Sequence, residues 1–372
     1  MKKTLLSIFA VLAGLSVSAQ DAQQAAAQAA KAIVAAPQAA QTIAKPSNWK
    51  SSLKTQLNIG QTSLSNWAAG GDNTMTLQGF VDGNANWTQG AMFWNNRLQL
   101  DYGFVYASSK PILQKSDDRI YLESKWGYKA VDNLYFSANY DFKSQFSTGW
   151  VYNTPTVPSD KPEGTTLEDL ELKEQKKLWA EARDLKSNFL APAYTNIALG
   201  LDYKPTKWLS VNFAPLTGGF VIVKDEALRS SYSMDLKKMS AAQKEKYDEQ
   251  VAAGVAASDL GQYYKSARFE FGAQLKVDAK VNVNDNFAYS TQVVLFSNYL
   301  DKPENMRVNW DSRIDWKLAK YFTFTITTNL IYDDKVLIKS EKDIKKYPNG
   351  TQRVQFKESL AFGFTYTIAS RK

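Results

Sequence analysis

The chain has 372 residues, of which 45 are Lys or Arg and 37 are Asp or Glu, so its formal net charge is +8. It contains no histidine and no cysteine, while Phe, Trp and Tyr make up 13% of its residues. Without His and Cys it cannot build a Ser-His-Asp or Cys-His catalytic site, a zinc finger or a disulfide, and we expect no enzyme activity, no cofactor and no metal.

The first 19 residues have the pattern of an export signal. Residues 1–3 form a basic n-region, 4–14 a short apolar h-region, and 16–19 supply the small residues of a cleavage site. No later stretch approaches the roughly 18 apolar residues of a transmembrane helix. We therefore predict a signal peptide at 1–19 and an exported mature chain. Its charge is spread too evenly to indicate a nucleic-acid partner.

Residues 20–48 are rich in Ala and Gln, with Pro37 and Pro46 as helix breakers. This composition predicts a periplasmic tail or linker. At about 3.3 Å per residue the extended tail would reach roughly 90 Å, which is enough to enter a barrel lumen. The composition favours the other interpretation, a tail that stays mobile in the periplasm.

From residue 49 onwards, apolar and polar side chains alternate along the chain. In 267–283 one parity, from Ala267 to Val283, is apolar throughout, and the other carries only charged residues, amides and Gly. A period of two over such a length predicts a long strand with one apolar and one polar face. Globular strands average about 5–6 residues, whereas a tilted bilayer crossing takes about 9–11. The predicted strands are 52–63, 74–87, 91–106, 118–129, 133–147, 193–203, 207–216, 265–283, 287–299, 306–318, 321–332 and 352–369.

The predicted connections alternate between tight turns and long loops. An even number of strands joined in this way is typical of an outer-membrane barrel, with short periplasmic turns and long extracellular loops. A soluble sandwich has no reason to place every long loop at one end. We predict an all-β fold for 49–372: a transmembrane antiparallel up-and-down β-barrel of about 12 strands in the cell outer membrane, with its apolar face against outer-membrane lipid.

The two longest loops, 148–192 and 217–264, carry helical patterns. Thr165-x-x-Glu168 resembles a capping box, and Ser240 opens a second candidate helix. Such insertions would either bind a cell-surface protein or pack on each other and on the barrel rim. The residues alone leave both interpretations open.

A Gly-containing motif closes the first outer hairpin and is predicted to be a structural turn. Gly70 and Gly71 can adopt positive φ, and the Asp72 side chain can cap the turn. No Lys-Ser/Thr follows, so the motif is not a phosphate loop, and it lacks the six or more oxygens that calcium needs. Its defining residues are Asn66, Trp67, Gly70, Gly71 and Asp72.

The same stretch resembles a known family. SLSNWAAGG at 63–71 and VNFAPL at 211–216 are similar to two stretches shared by uncharacterised outer-membrane β-barrel proteins of Bacteroides-type bacteria. The resemblance implies an outer-membrane location and a barrel fold, and it supplies no function. The terminal Ser370-Arg371-Lys372 departs from barrels generally, which end in an aromatic residue.

The polar parity of the strands carries charges of both signs. Twelve strands enclose a bore between the filled interior of eight strands and the aqueous channel of sixteen. Two functions remain open, and base rates for such barrels favour the first: a narrow pore or transporter for small polar solutes, or a closed barrel scaffold whose extracellular loops bind a surface partner. A pore predicts a continuous bore, and a scaffold predicts a salt-bridged plug. The predicted lumen-lining residues are Arg97, Asp101, Glu123, Lys125, Arg268, Glu270, Lys276, Asp278, Asp311, Arg313, Asp315 and Lys317.

Overall fold

The computed structural model describes residues 48–62, 74–338, 346–347 and 350–369. The predicted signal peptide, nearly all of the predicted tail, and the turn motif at 66–72 lie outside these residues. The described strands are β1 (Trp49–Thr62), β2 (Thr74–Gln89), β3 (Met92–Ala107), β4 (Lys110–Val131), β5 (Leu134–Ser144), β6 (Gly149–Tyr152), β7 (Arg183–Ser187), β8 (Ala193–Tyr203), β9 (Leu209–Ile222), β10 (Ala267–Asn282), β11 (Phe287–Asn298), β12 (Met306–Lys317), β13 (Phe322–Tyr332), β14 (Leu337–Ile338), β15 (Thr351–Gln352) and β16 (Gln355–Ala369).

Twelve of these strands form a closed antiparallel barrel, which confirms the predicted fold class. The order around the barrel is β1-β16-β13-β12-β11-β10-β9-β8-β5-β4-β3-β2, and β1 pairs with both β2 and β16. Each strand therefore has a neighbour on both sides, and no barrel edge is left open. The short hairpins β6–β7 and β14–β15 form separate two-stranded sheets within the loops.

Two predicted strand boundaries were wrong because β-bulges interrupt the alternation. β4 begins at Lys110, so the predicted loop 107–117 is only the two-residue connection 108–109. A register shift between Gly103 and Phe104 leaves an extra residue in β4, which reverses the parity of the side chains. β9 continues to Ile222 through a second bulge beside Pro215, since proline has no N–H for the ladder.

The barrel is apolar on its outside and polar on its inside. Phe136 is 57% exposed and Ile197 is 55% exposed on the outer surface, with many other large apolar side chains. Gln56, Asp202 and Lys276 are buried on the inner face. A water-soluble protein buries its large apolar side chains, whereas a barrel in lipid presents them outward. This arrangement is the one that membrane-spanning barrels use.

The two ends of the barrel differ. We call the end with the connections 90–91, 132–133, 204–208, 283–286 and 318–321 the turn end, and the opposite end, where the short connection 108–109 lies beside the long loops, the loop end. An exposed aromatic belt surrounds the turn end, as expected at a membrane–water interface. Its members include Trp49, Trp94, Trp126, Tyr128, Trp208 and Trp316.

The long loops hold two helices, α1 (Leu172–Glu181) and α2 (Ala241–Ala252). In the described part of the chain, neither these nor any other helix combines the length and the apolar character that a membrane crossing requires. The predicted capping box at Ser240 forms, with Gln243 N donating to Ser240 Oγ at 3.3 Å. The other box forms one residue later than predicted, between Thr166 and Asp169, because the chain enters a short 3-10 turn there.

Candidate functional site

An ion pair crosses the full width of the barrel interior. Arg119 Nη2 on β4 lies 3.4 Å from Asp311 Oδ2 on β12. Five strands separate β4 from β12 on either path around the barrel, so the two strands face each other across the bore. Asn329 on β13 also donates to Asp311. The contact places opposite charges at the centre of the lumen, where a pore would need open space.

Further pairs bridge the side of the interior that runs from β4 to β10. Lys276 Nζ on β10 lies 2.6 Å from Glu123 Oε1 on β4, and Tyr121 Oη donates to Glu123 Oε2 at 2.8 Å. Nearer the turn end, Lys125 Nζ donates to Asp202 Oδ1 at 3.0 Å. The side chain of Lys276 is 2% exposed, so its charge is neutralised by the protein and hardly by water.

A second set of contacts fills the opposite side. Lys54 Nζ on β1 lies 2.6 Å from Asp315 Oδ2 on β12, and Arg313 Nε donates to both oxygens of Asp315. Gln56 accepts from Arg313 and donates to Thr325 at 3.0 Å. These bonds join β1 to β12 and β13 across the interior rather than along the sheet.

Charged groups also close the interior near the loop end. Glu270 accepts from Arg268 at 3.1 Å and lies 2.9 Å from Arg307 Nη2. Arg307 lies over the Phe296 ring, 4.7 Å from its centroid, and 3.7 Å from Asp333. A carboxylate between two guanidinium groups is held by charge-assisted hydrogen bonds, the stronger class of such bonds.

The structure brings some of the predicted lumen residues together. Lys276 contacts Glu123, Arg268 contacts Glu270, and Arg313 contacts Asp315, in each case as an ion pair. The remaining predicted residues lie on the same inner face. Arg97 pairs with Asp82, Asp101 accepts from Gln78, Lys125 pairs with Asp202, Asp278 accepts from Gln292, Asp311 pairs with Arg119, and Lys317 is exposed at the turn end.

Sequence reasoning missed several partners of these residues. Lys54, Asp82, Asp202 and Arg307 are the ones that complete the ion pairs. Each is an isolated charge within its predicted strand, or lies at one end of it, so it did not stand out as part of a charged run. Extending the inward parity along every strand would have identified them.

The loops 145–192 and 223–266 form an ordered structure over the loop end, which we call the loop cap. Its apolar core joins the rim of β9 to the two loops and consists of Ala191, Val221, Val223, Leu228 and Met234. Partly buried side chains of Leu185, Tyr194, Tyr232 and Tyr264 pack against that core.

Arg229 organises the loop cap from inside. Its guanidinium donates to the carbonyls of Val223, Lys224, Gly261 and Tyr264. Five N–H donors in a rigid fork allow one arginine to fix several loop carbonyls. The arginine therefore ties the start of the second loop to its end.

Tyr232 links the two loops of the cap. Burial raises the pKa of its hydroxyl to about 12, so the group stays protonated near neutral pH. The hydroxyl donates to the Lys186 carbonyl at 3.1 Å. Ser233, the next residue, donates to the Lys335 carbonyl at 2.6 Å, so the cap is also joined to the loop after β13.

The comparisons with known proteins give a family match without an activity. A family model described as "Protein of unknown function (DUF3078)" matches residues 59–150. No curated protein matches the chain by sequence. The match agrees with the predicted resemblance to an uncharacterised family. The Bacteroides-type origin and the role of the 66–72 motif stay predictions.

Several solved barrels are similar to the chain in fold. They include the translocator domain of the autotransporter NalP from Neisseria meningitidis, at 10% identity, covering 95% of this chain and 99% of that chain with a TM-score of 0.35. An outer membrane channel from Pseudomonas putida F1 is 9% identical, covering 89% and 98% of the two chains with a TM-score of 0.32. The NanC porin is 8% identical, covering 87% and 99% with a TM-score of 0.33. The conclusions about the fold therefore rest on this chain's own strand order and on the apolar outer and polar inner faces of its barrel.

Proposed function

We propose that this protein is an outer-membrane β-barrel whose interior is closed by ion pairs in its resting state, and whose loop cap binds a protein partner at the cell surface. The contact between Arg119 and Asp311 carries the first half of this proposal, because it joins opposite walls of the barrel. The pairs Lys276–Glu123 and Lys54–Asp315 occupy the space on either side of it.

The energetics of buried ion pairs favour a closed interior. Lys276–Glu123 is such a pair, with side chains 2% and 12% exposed, and removing one member of a buried pair costs about 3–5 kcal/mol. The central pair is 26% and 31% exposed and costs less to separate. A solute crossing the bore would have to separate or displace several pairs together. We therefore infer that the resting barrel does not conduct small ions.

The orientation of the barrel supports the second half of the proposal. Short turns of membrane barrels face the periplasm and long loops face outward. Trp49 and Ala369 both lie at the turn end, so the first and last described strands of the barrel have these ends on the periplasmic side. The loop cap then projects from the cell, with the exposed side chains of Leu172, Phe189 and Val251 on its surface.

A narrow passage for small polar solutes is the second candidate. The side chains of Arg97, Asp278 and Asp311 lie in the interior and are 35%, 34% and 31% exposed to solvent. Solvent therefore reaches part of the bore, and displacing the central and flanking pairs would connect those regions. This candidate requires the resting barrel to conduct.

Conductance in planar bilayers distinguishes the two candidates. We expect the wild-type barrel to show no current steps, and the double variant Arg119→Ser/Asp311→Ser to show steps at high applied voltage, because it removes the central pair without leaving an unpaired charge while the flanking pairs remain. Lys244→Ser/Asp248→Ser, which removes an exposed pair on α2, is the matched control and should stay silent. Reproducible ohmic steps from the wild-type protein would reject the closed barrel in favour of the passage.

Site-specific crosslinking tests the role of the loop cap. A photo-crosslinking amino acid at Leu172 on α1 should capture one defined protein on intact cells, and the same probe at the outward-facing Phe136 should capture none. Arg229→Gln should abolish the capture, because losing its bonds to four loop carbonyls disorders the cap. Capture that survives Arg229→Gln, or its absence at Leu172, Phe189 and Val251 alike, would contradict a partner-binding cap.

A further inference from the structure

We propose that the turn end of the bore holds a binding site for a small multivalent oxyanion, bounded by Lys50, Lys280 and Lys317. We call this space the turn-end vestibule. The proposal goes beyond a closed barrel with a partner-binding cap, because it concerns the opposite mouth and the ligand that enters there. It arises from three lysines that form no ion pair within 4.0 Å in the described part of the chain, although Lys280 lies close enough to Asp82 to interact with it electrostatically.

Strand parity places the three lysines on the inner face. Lys50 shares the parity of Lys54 on β1, and Lys280 shares that of Lys276 on β10, both of which form ion pairs inside the barrel. Lys317 shares the parity of Asp315 on β12. All three stand near the turn end of their strands, and all three are exposed.

Most carboxylates of this part of the bore are already paired, and Asp278 shares Lys276 with Glu123. Asp82 pairs with Arg97, Asp315 with Lys54 and Arg313, Asp202 with Lys125 and Lys204, and Asp278 lies 3.9 Å from Lys276. Within residues 48–62, 74–338, 346–347 and 350–369, no carboxylate lies within 4.0 Å of the ammonium groups of Lys50, Lys280 or Lys317. The vestibule therefore carries an excess of positive charge.

The surroundings of the vestibule do not cancel this excess. Among the turns, Asp132 is paired with Lys129, while Asp285 is outnumbered by Lys207 and Lys320. The segment 20–48 cannot act as the counter-ion either, because its composition adds Lys31 and Lys45 against the single acid Asp21. The charges of the described residues around the turn end therefore leave the vestibule net positive.

The spacing suits one small ligand with several negative charges. β10 and β12 are separated by β11, and β12 and β1 by β13 and β16, so the strands that carry the lysines lie about 10 Å and about 14 Å apart across the sheet. Lysine side chains are long and flexible enough to converge on an anion between them. Walls of low dielectric constant strengthen the attraction. The inner-face amides Asn84, Asn86 and Asn95 add neutral hydrogen-bond donors at the same mouth.

The vestibule ends inside the barrel. The pair Lys54–Asp315 lies four residues deeper than Lys50 on β1 and two residues deeper than Lys317 on β12, and it obstructs the bore between those strands. An anion entering at the turn end is therefore held there. A polyphosphate or a polycarboxylate has the chemistry that three ammonium groups and several amides recognise.

Equilibrium dialysis with radiolabelled tripolyphosphate tests the site on the full-length protein in detergent micelles at low salt. We expect saturable binding near one ligand per chain, weakened about tenfold by Lys50→Gln/Lys280→Gln/Lys317→Gln and weakened by added salt. The control variant Lys238→Gln/Lys244→Gln/Lys246→Gln makes the same charge change on the loop cap and should bind like the wild type. Heat-modifiable migration in gels shows that each variant is folded.

Two outcomes would overturn the proposal: no saturable binding by the wild type, or equal weakening in both triple variants, which would indicate attraction to net charge alone. Neither outcome depends on whether the barrel conducts. A conducting wild-type barrel would reject the closed interior and leave this binding result unaffected.

Discussion

Replacing Lys276 by Met is expected to lower the free energy of unfolding by about 3–5 kcal/mol, because it leaves the buried Glu123 carboxylate without its partner. Lys276 is almost fully enclosed, and its ammonium group lies 2.6 Å from Glu123. Little water reaches the site to replace the lost charge. The measurement is equilibrium unfolding in urea with the protein in micelles, followed by tryptophan fluorescence.

A second substitution isolates the cause of this effect. Lys276→Met/Glu123→Gln should regain most of the lost stability, since no uncompensated charge remains. Lys244→Met, which breaks an exposed pair with Asp248 on α2, should change stability by less than about 0.5 kcal/mol. If Lys276→Met unfolds like the wild type, the interior pairs do not hold the barrel closed.

An arginine on the outer surface of the barrel should be nearly as disruptive. Ile197 lies in the middle of β8, and its side chain is exposed on the outside. If that side touches hydrocarbon, Ile197→Arg costs about 2–4 kcal/mol, as measured for Arg near the midplane of membrane barrels. The free energy of unfolding from lipid bilayers is the quantity to compare.

The control for this prediction is an equally exposed apolar residue away from the barrel wall. Val251→Arg on α2 should leave the stability within about 0.5 kcal/mol of the wild type. Equal and small effects of the two substitutions would mean that water, and not lipid, surrounds the barrel. The membrane assignment would then be wrong.

The barrel itself could be predicted from the sequence because its signal repeats on every strand. Alternation between apolar and polar residues determines which face each side chain takes, and twelve such segments agree on one architecture. The tight turns between the predicted strands then separate the two ends. The strand count and the antiparallel closure follow from these local patterns and are confirmed by the structure.

The interior contacts could not be predicted in the same way. The alternation places Arg119 and Asp311 on inner faces, but their contact depends on the stagger of strands that are far apart in sequence. Bulges near Gly103 and Pro215 shift that stagger by one residue each, and although Pro215 marks the position of its bulge, it does not reveal which distant side chains the shift brings together. Charge types were thus predictable, whereas the pairing of those charges required the three-dimensional register.

The seam of the barrel has a consequence for biogenesis. β1 pairs with β16 along Ser52–Asn58 and Gly363–Ala369, so the barrel cannot close until its last strand has been synthesised. Until then the sheet has two unpaired edge strands, each able to pair with another chain. A polypeptide truncated before β16 would keep both edges unpaired, and we expect it to aggregate rather than to form a smaller barrel.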